Sequence, residues 1–259
     1  MSWEVFAIGY AADPGRVSSR CFLDGFGGDA PMPGAYFAFL LRSGERLVML
    51  DTGADAAVLA RLNKPVRGGV AEALAALGLA PEAVTEVVQT HLHWDHAGNT
   101  GLFPRARFHL QRRELDYAAG PAMRHPLLRA GFEPGEVAAM VPLLHAGRLV
   151  LHDGDWAGPG GIEGFHLGGH TDGLQAVTVP TRRGRLCMAG DAVFRRENLE
   201  RRVPFPALFH VGDALDAFET ALRHAGDDPA AVIPGHDPRL LTEFPAAAPG
   251  TEGWITRLD

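Results

Sequence analysis

Cysteine is scarce in this sequence: Cys21 and Cys187 are the only two in 259 residues. Neither has the Cys-x-x-Cys spacing of a thiolate zinc knot, and two distant thiols make no disulfide framework. No apolar run approaches the roughly 20 residues that span a bilayer. The first residues place Glu4 early and lack a basic stretch leading into an apolar core. No signal peptide is therefore expected, and the expected location is cytoplasmic and reducing. Positive charge is also short, with 24 Lys and Arg against 31 Asp and Glu, a net charge of −7. That balance argues against a broad nucleic-acid-binding face. Repeats, linkers and low-complexity stretches are missing too, so residues 1–259 are expected to form a single domain. With 46% hydrophobic and 21% charged residues, a chain of this length suits one α/β domain with a sizeable core.

What the chain does have is histidine concentrated in one place. His91-Leu92-His93-Trp94-Asp95-His96 puts three imidazoles and a carboxylate into six residues. It follows the apolar, β-branched run 84–90, which reads as a buried strand. His91 and His93 are two apart, so on extended chain they point the same way. Asp95 and His96 come after the turn. Four metal-binding side chains so close would repel, or strand buried polar atoms, if no ion held them.

Upstream, residues 1–35 are rich in Gly, Pro and Asp. Gly25 to Gly28 read as a turn, since a phosphate loop needs a strand–loop–helix frame and a Lys. Strands are expected at 36–41 and 46–50, joined by Ser43-Gly44. Asp51 is expected chiefly to cap a helix over 54–62, with support of a metal-bound histidine as its other role. Val70, Leu74 and Leu77 predict a helix that stops at Gly78. A strand at 107–110 precedes the segment 111–147, which carries Tyr117, Met123, Phe132 and Met140. That segment reads equally as core packing and as a cap giving the site an apolar wall. Further strands are expected at 148–152, 162–168, 175–180, 185–189 and 231–233, with an amphipathic helix marked by Leu215, Phe218 and Leu222. Two successive sets of strands and helices suggest two sheets face to face with helices outside.

Two ions need more than four side chains. Three further candidates each lie just beyond an apolar strand, beside glycine: His170, Asp191 and His236. Glycine lets the backbone pass close to an ion. His166 lies within its strand and is given a packing role. His109, His125, His145, His152, His210 and His224 lack this context and read as ordinary histidines.

The motif at 91–96, followed by His170, Asp191 and His236, resembles the metallo-β-lactamase superfamily across essentially the whole chain. The resemblance implies an α/β fold, an αββα sandwich of two mixed β-sheets flanked by helices. It also implies a dinuclear metal centre between the sheet edges. His91, His93 and His170 would hold one ion, Asp95, His96 and His236 the other, and Asp191 would bridge both. Imidazole and carboxylate suit zinc, and the same ligands accept iron, manganese or cobalt.

Within the superfamily, His93 stands where diiron redox members have Glu, and Asp191 stands where many true β-lactamases have Cys. The span from Asp191 to His236 is too short for the inserted domain of the large RNA-processing members. Gly168 to Gln175, Gly190 to Glu200 and Ile233 to Asp237 look most like the N-acyl-homoserine lactone hydrolases. Two positions depart from that pattern. Leu174 stands where a second His often follows, and Phe194 where the better-known lactonases have a carbonyl-polarising Tyr. The expected reaction is lactone ring opening by a hydroxide held between two ions, with Asp95 and Asp191 as catalytic carboxylates. Asp95 would relay a proton to the leaving alkoxide. The other reading is a hydrolase of the same fold for another lactone, a thioester or a phosphodiester. The expected partner is a small-molecule lactone or ester, with no nucleic acid and no membrane, and with pairing into a homodimer left open.

Overall fold

The computed structural model describes residues 2–259. Two β-sheets lie face to face at its centre. The first sheet takes β1 (Glu4–Asp13), β2 (Gly34–Ser43), β3 (Arg46–Leu50), β4 (Glu86–Val88), β5 (Arg107–Gln111) and β6 (Leu149–His152). The second takes β7 (Trp156–Ala157), β8 (Glu163–His166), β9 (Gln175–Thr181), β10 (Gly184–Gly190) and β11 (Val232–Pro234). β12 (Ile255–Arg257) then returns to the first sheet and pairs with β1. The strand orders are β12-β1-β2-β3-β4-β5-β6 and β11-β10-β9-β8-β7. Both sheets are mixed: β3 to β6 run parallel, β1 to β3 antiparallel, and β10 and β11 form the parallel pair of the second sheet.

The alternation of side chains along a strand builds the layers. On β2, Ala35, Phe37, Phe39 and Leu41 pack with second-sheet residues such as Phe165, Val177 and Met188. Tyr36, Ala38 and Leu40 face the other way, into a core shared with Leu59, Val70 and Leu74 of the covering helices. A sheet buried on both faces has no polar side, which is why 36–41 reads as an unbroken apolar run. On the far side, the helix Val211–His224 covers the second sheet with Ala214, Ala217, Phe218 and Ala221. Together these layers form the αββα sandwich.

Several elements differ from expectation. Leu215 is 43% exposed, because the inward stripe of its helix is built mostly of alanines, which let the helix approach closely. The strands β1 and β12 and the helix Arg196–Arg201 were not foreseen. The run 84–90 keeps only three residues in β4, since the Thr90 N–H turns from the ladder to the Asp51 carboxylate at 2.7 Å. No helix among the described residues is long and apolar enough to cross a membrane. Cys21 and Cys187 are separate buried thiols.

Trp3 ties the edge of β1 to the second sheet. It is fully buried in the inter-sheet core, and its indole N–H donates to the Gly160 carbonyl at 3.0 Å. Trp3→Ala is expected to cost about 3–5 kcal/mol of stability, read by urea denaturation. A cost below about 1 kcal/mol would show that the sheet contact does not depend on it.

Candidate metal centre

The seven residues singled out from the sequence converge from four chain segments. Beyond Val88 the chain bends at Thr90 and again at His93, then enters the short helix Trp94–Ala97. His93 sits on extended backbone, and Asp95 and His96 on the first helical turn. His170 lies in the loop between β8 and β9, where Gly168 and Gly169 take φ of 71° and 85°. Only glycine adopts such successive left-handed conformations at little cost. Asp191 directly follows β10 and His236 closely follows β11.

Three sets of donor atoms fall within 4.8 Å of one another: His91, His93 and His170; His91, His96 and Asp191; and Asp95, His96 and His236. Asp191 spans the cluster. Its Oδ1 lies 3.0 Å from His236 Nε2 and 3.3 Å from His96 Nε2, and its Oδ2 lies 3.4 Å from His170 Nε2. Asp95 Oδ2 is 3.5 Å from His96 Nε2 and 3.6 Å from His236 Nε2. His93 Nδ1 meets His170 Nε2 at 2.8 Å. Apart from the half-buried His93, all seven are buried.

The outer bonds of these imidazoles show what the inner face needs. His96 Nδ1 is 2.7 Å from the Asp51 carboxylate, His170 Nδ1 is 2.6 Å from the Ala207 carbonyl, and His236 Nδ1 is 2.9 Å from the Ala35 carbonyl. His91 Nδ1 meets Thr90 Oγ1 at 3.1 Å, and that hydroxyl itself sits 2.8 Å from Asp51. Carboxylates and carbonyls only accept, so Nδ1 carries the proton in His96, His170 and His236. Their Nε2 lone pairs then point at carboxylate oxygens. Lone pair against carboxylate repels unless a proton or a cation lies between. The Nε2 atoms of His91 and His96 are buried without any hydrogen-bond partner. The residues present thus fit one or more divalent ions of the kind that imidazole and carboxylate bind.

Electrostatics divides the cluster in two. Burial pushes the His91 and His170 imidazoles below their ordinary pKa, and burial with the neighbouring His170 takes His93 to about 3. These three are neutral donors. Against the cost of burial, His96 holds Asp95 at about 2, and His236 and His96 hold Asp191 well below the carboxylate range. Against its own burial, His96 is raised by Asp95, Asp51 and Asp191. A proton on His96 and a divalent cation are alternative ways to balance the same three buried carboxylates.

Asp51 is not the helix cap expected of it. Asp55 caps the helix Ala56–Arg61, accepting from the Ala57 and Val58 N–H groups at 2.8 and 3.4 Å. Asp51 is 3% exposed and turned inward by its φ of 61°, which aims its carboxylate at Gln89, Thr90 and His96. Glu114 escaped the sequence reading altogether. It is buried, and its two oxygens accept the Leu92 N–H at 2.9 Å and the Gly173 N–H at 3.1 Å. It thereby clamps the loop of His91 and His93 to the loop of His170. No local signal marks it, since it occupies an unremarkable helical position.

The remaining histidines sit elsewhere. His109 and His152 stack with Trp156, His224 stacks on Phe165, and His210 accepts from the Asp213 N–H. His125 and His145 are exposed. His166 does more than pack, since its Nε2 donates to the Asp172 carbonyl at 2.7 Å and steadies the His170 loop. Segment 111–147 serves both of its expected ends. Phe132 is core, with its ring 4.5 Å from His93, and the Gly131 carbonyl accepts the Trp94 N–H at 2.9 Å. Tyr117, Leu127 and Leu128 of the same segment wall a cavity of about 330 Å³ whose floor is His93, Asp95, His170, Asp191 and His236.

Asp51→Asn is expected to leave the fold intact and to weaken divalent-ion binding about 10- to 100-fold, read by zinc titration calorimetry. Asp55→Ala should instead cost about 1 kcal/mol of stability with ion binding unchanged. The opposite pattern would return the capping role to Asp51.

Comparison with known proteins agrees with this geometry. The profile of the metallo-beta-lactamase superfamily matches residues 31–236. An N-acyl homoserine lactonase from Bacillus sp is 26% identical over 243 residues, which cover 85% of this chain and 90% of that protein. Among solved structures, an N-acyl homoserine lactone hydrolase with the product N-hexanoyl-L-homoserine at its catalytic metal center has a TM-score of 0.77 at 20% identity. That match covers 95% of this chain and 98% of the other. AidC, a dizinc quorum-quenching lactonase, has a TM-score of 0.67 at 20% identity, covering 91% and 88%. A profile match that runs from β2 through β11, with the histidine motif and the loops of His170, Asp191 and His236, places this chain in the metallo-beta-lactamase superfamily.

Proposed function

We propose that residues 1–259 form one hydrolase domain that opens lactone rings, N-acyl-homoserine lactones in the first place, at a two-metal centre. The observation that carries this reading is Asp191, whose two oxygens face donors of both histidine sets at the floor of an apolar-walled cavity. His91, His93 and His170 would hold one ion, Asp95, His96 and His236 the other, and Asp191 both. When bound, such ions supply a nucleophile at neutral pH and Lewis acidity toward a carbonyl oxygen. Zinc suits this donor set, as in the dizinc relative.

The chain's own residues do the rest. The floor presents donors to the lactone head, while Leu127, Leu128, Phe205 and Leu208 offer an apolar wall on which a bound tail would displace water. Excluding water there strengthens every charge interaction at the floor. Asp95 lines the cavity and would carry a proton to the ring oxygen as its bond to the carbonyl carbon breaks. Water adds to that carbon, and the product is a hydroxy acid that ionises at neutral pH and releases one proton. Support for the lactone class comes from the activity named for the relatives, at about a quarter identity. A different ester, thioester or phosphodiester is the second reading. It is favoured by Phe194, which lines the cavity and has no hydroxyl to offer a carbonyl.

Proton release on adding long- and short-chain N-acyl-homoserine lactones to zinc-loaded protein tests the proposal, with a chelated sample as control. Metal-dependent turnover with kcat/KM on the order of 10⁴ M⁻¹s⁻¹ or more is expected. Absence of turnover with two ions bound would discard this substrate and leave the second reading. Asp191→Asn is expected to lower the bound metal from two ions and to remove most activity together. Full activity with two ions retained would sink the bridging role.

A further inference from the structure

The cavity lining above the floor includes Tyr36, Trp94 and Tyr117 among its carbon side chains, and one guanidinium. Arg16 lines the cavity, and no other Arg or Lys does. Its side chain is only 14% exposed. Nε donates to Asp13 Oδ2 at 3.0 Å and Nη1 to the Arg20 carbonyl at 3.3 Å. The guanidinium carbon lies 4.8 Å from the Phe194 ring centroid and 5.6 Å from that of Phe205. Those two rings are stacked 4.2 Å apart, and Phe194 also stacks on His236 at 4.4 Å. A single aromatic ring therefore touches both the cation and the donor cluster. Phe194, the position without a hydroxyl, is the platform that seats Arg16.

The charge around Arg16 is not cancelled. Asp13 is shared with Lys64, whose Nζ lies 3.0 Å from Oδ1. Two cations thus share one carboxylate. Arginine carries five N–H donors in a rigid fork, more than Asp13, Arg20 and Tyr36 accept. The Tyr36 hydroxyl, also in the cavity wall, lies 3.4 Å from Asp13 Oδ2 and so belongs to the same network.

An N-acyl-homoserine lactone has one polar group between its ring and its tail, the exocyclic amide. With the ring at the floor and the tail on the apolar wall, that amide carbonyl would lose its water and need a donor from the lining. We propose that Arg16 is the specificity-determining residue of this site, donating a hydrogen bond to the carbonyl of the substrate's exocyclic amide. The inference rests on the lactonase reading above.

The test compares two lactones of equal tail length on zinc-loaded protein. One is an N-acyl-homoserine lactone. The other is an α-alkyl-γ-butyrolactone, with its tail on the same ring carbon and no amide. Arg16→Met should lower the ratio of the two kcat/KM values about 10- to 100-fold. Zinc content and Tm should hold, because Lys64 remains on Asp13. Arg16→Lys keeps the charge but loses the fork, and should give an intermediate ratio. A ratio that stays within threefold of wild type in Arg16→Met overturns the proposal, as does an equal loss on both substrates that follows a drop in Tm. Wild-type protein that opens neither lactone overturns the lactonase reading and this inference with it. Wild type that opens both, with a ratio that Arg16→Met leaves unchanged, overturns the Arg16 assignment alone.

Discussion

The candidate centre depends on where four imidazoles spend their outer nitrogen. His91, His96, His170 and His236 each place Nδ1 against an oxygen of the surrounding protein, namely Thr90, Asp51, Ala207 and Ala35. Each bond fixes a ring plane and turns Nε2 inward. The inward face then consists of bare lone pairs and two carboxylates, which cannot pack against each other as they stand. The fold has invested its hydrogen bonds outside the cluster and left the inside for a cation. His93 is the exception: its Nδ1 points inward at His170, and its other edge is held by Gly131 and Phe132.

Asp51 shows how far this arrangement reaches into the backbone. A non-glycine residue at a φ of 61° costs roughly 1–2 kcal/mol. In return its carboxylate accepts from the Thr90 N–H and hydroxyl, from the Gln89 amide and from His96. One side chain thus links the end of β3 to the end of β4 and orients a ring of the centre. Glu114 does the same between the 91–96 and 170–173 loops. Burial raises its carboxyl to about 7 even with two backbone N–H groups bonded to it. At both positions a buried acid is tolerated because it holds two loops in register.

The parts of this molecule that sequence reveals are those whose meaning is local. His91 to His96 announce themselves because four donors are consecutive. His170, Asp191 and His236 do so because each ends a strand beside glycine. The two sheets were legible because β2, β3, β9 and β10 are long apolar runs between clear turns. Asp51 was misread because a helix does begin nearby, and only its left-handed backbone shows that the side chain turns away from it. The 1–35 segment stayed opaque because β1 mixes glycine and alanine with its large residues. Its register on β2 also shifts between Gly9 and Ala11, and the pairing comes from contacts distant in sequence. Arg16 and Tyr36 could not be placed at the cavity without that register.

The same division separates chemistry from selectivity. The floor of the cavity comes from the short turns that follow β4, β8, β10 and β11, where buried hydrogen bonds fix the side chains. Its walls come from the N-terminal loop with Arg16, the segment of short helices from Tyr117 to Gly131, and the turn from Phe205 to Leu208. Such connecting segments change most readily without disturbing a core. A buried polar floor and a wall set in connecting segments allow the wall to be rebuilt while the charge balance among Asp51, Asp95, Asp191 and the imidazoles is left alone. Phe194 joins the two regions, since its ring stacks on His236 of the floor and carries Arg16 of the wall. A hydroxyl at Phe194 would add a donor to the floor but disturb the seat of the cation.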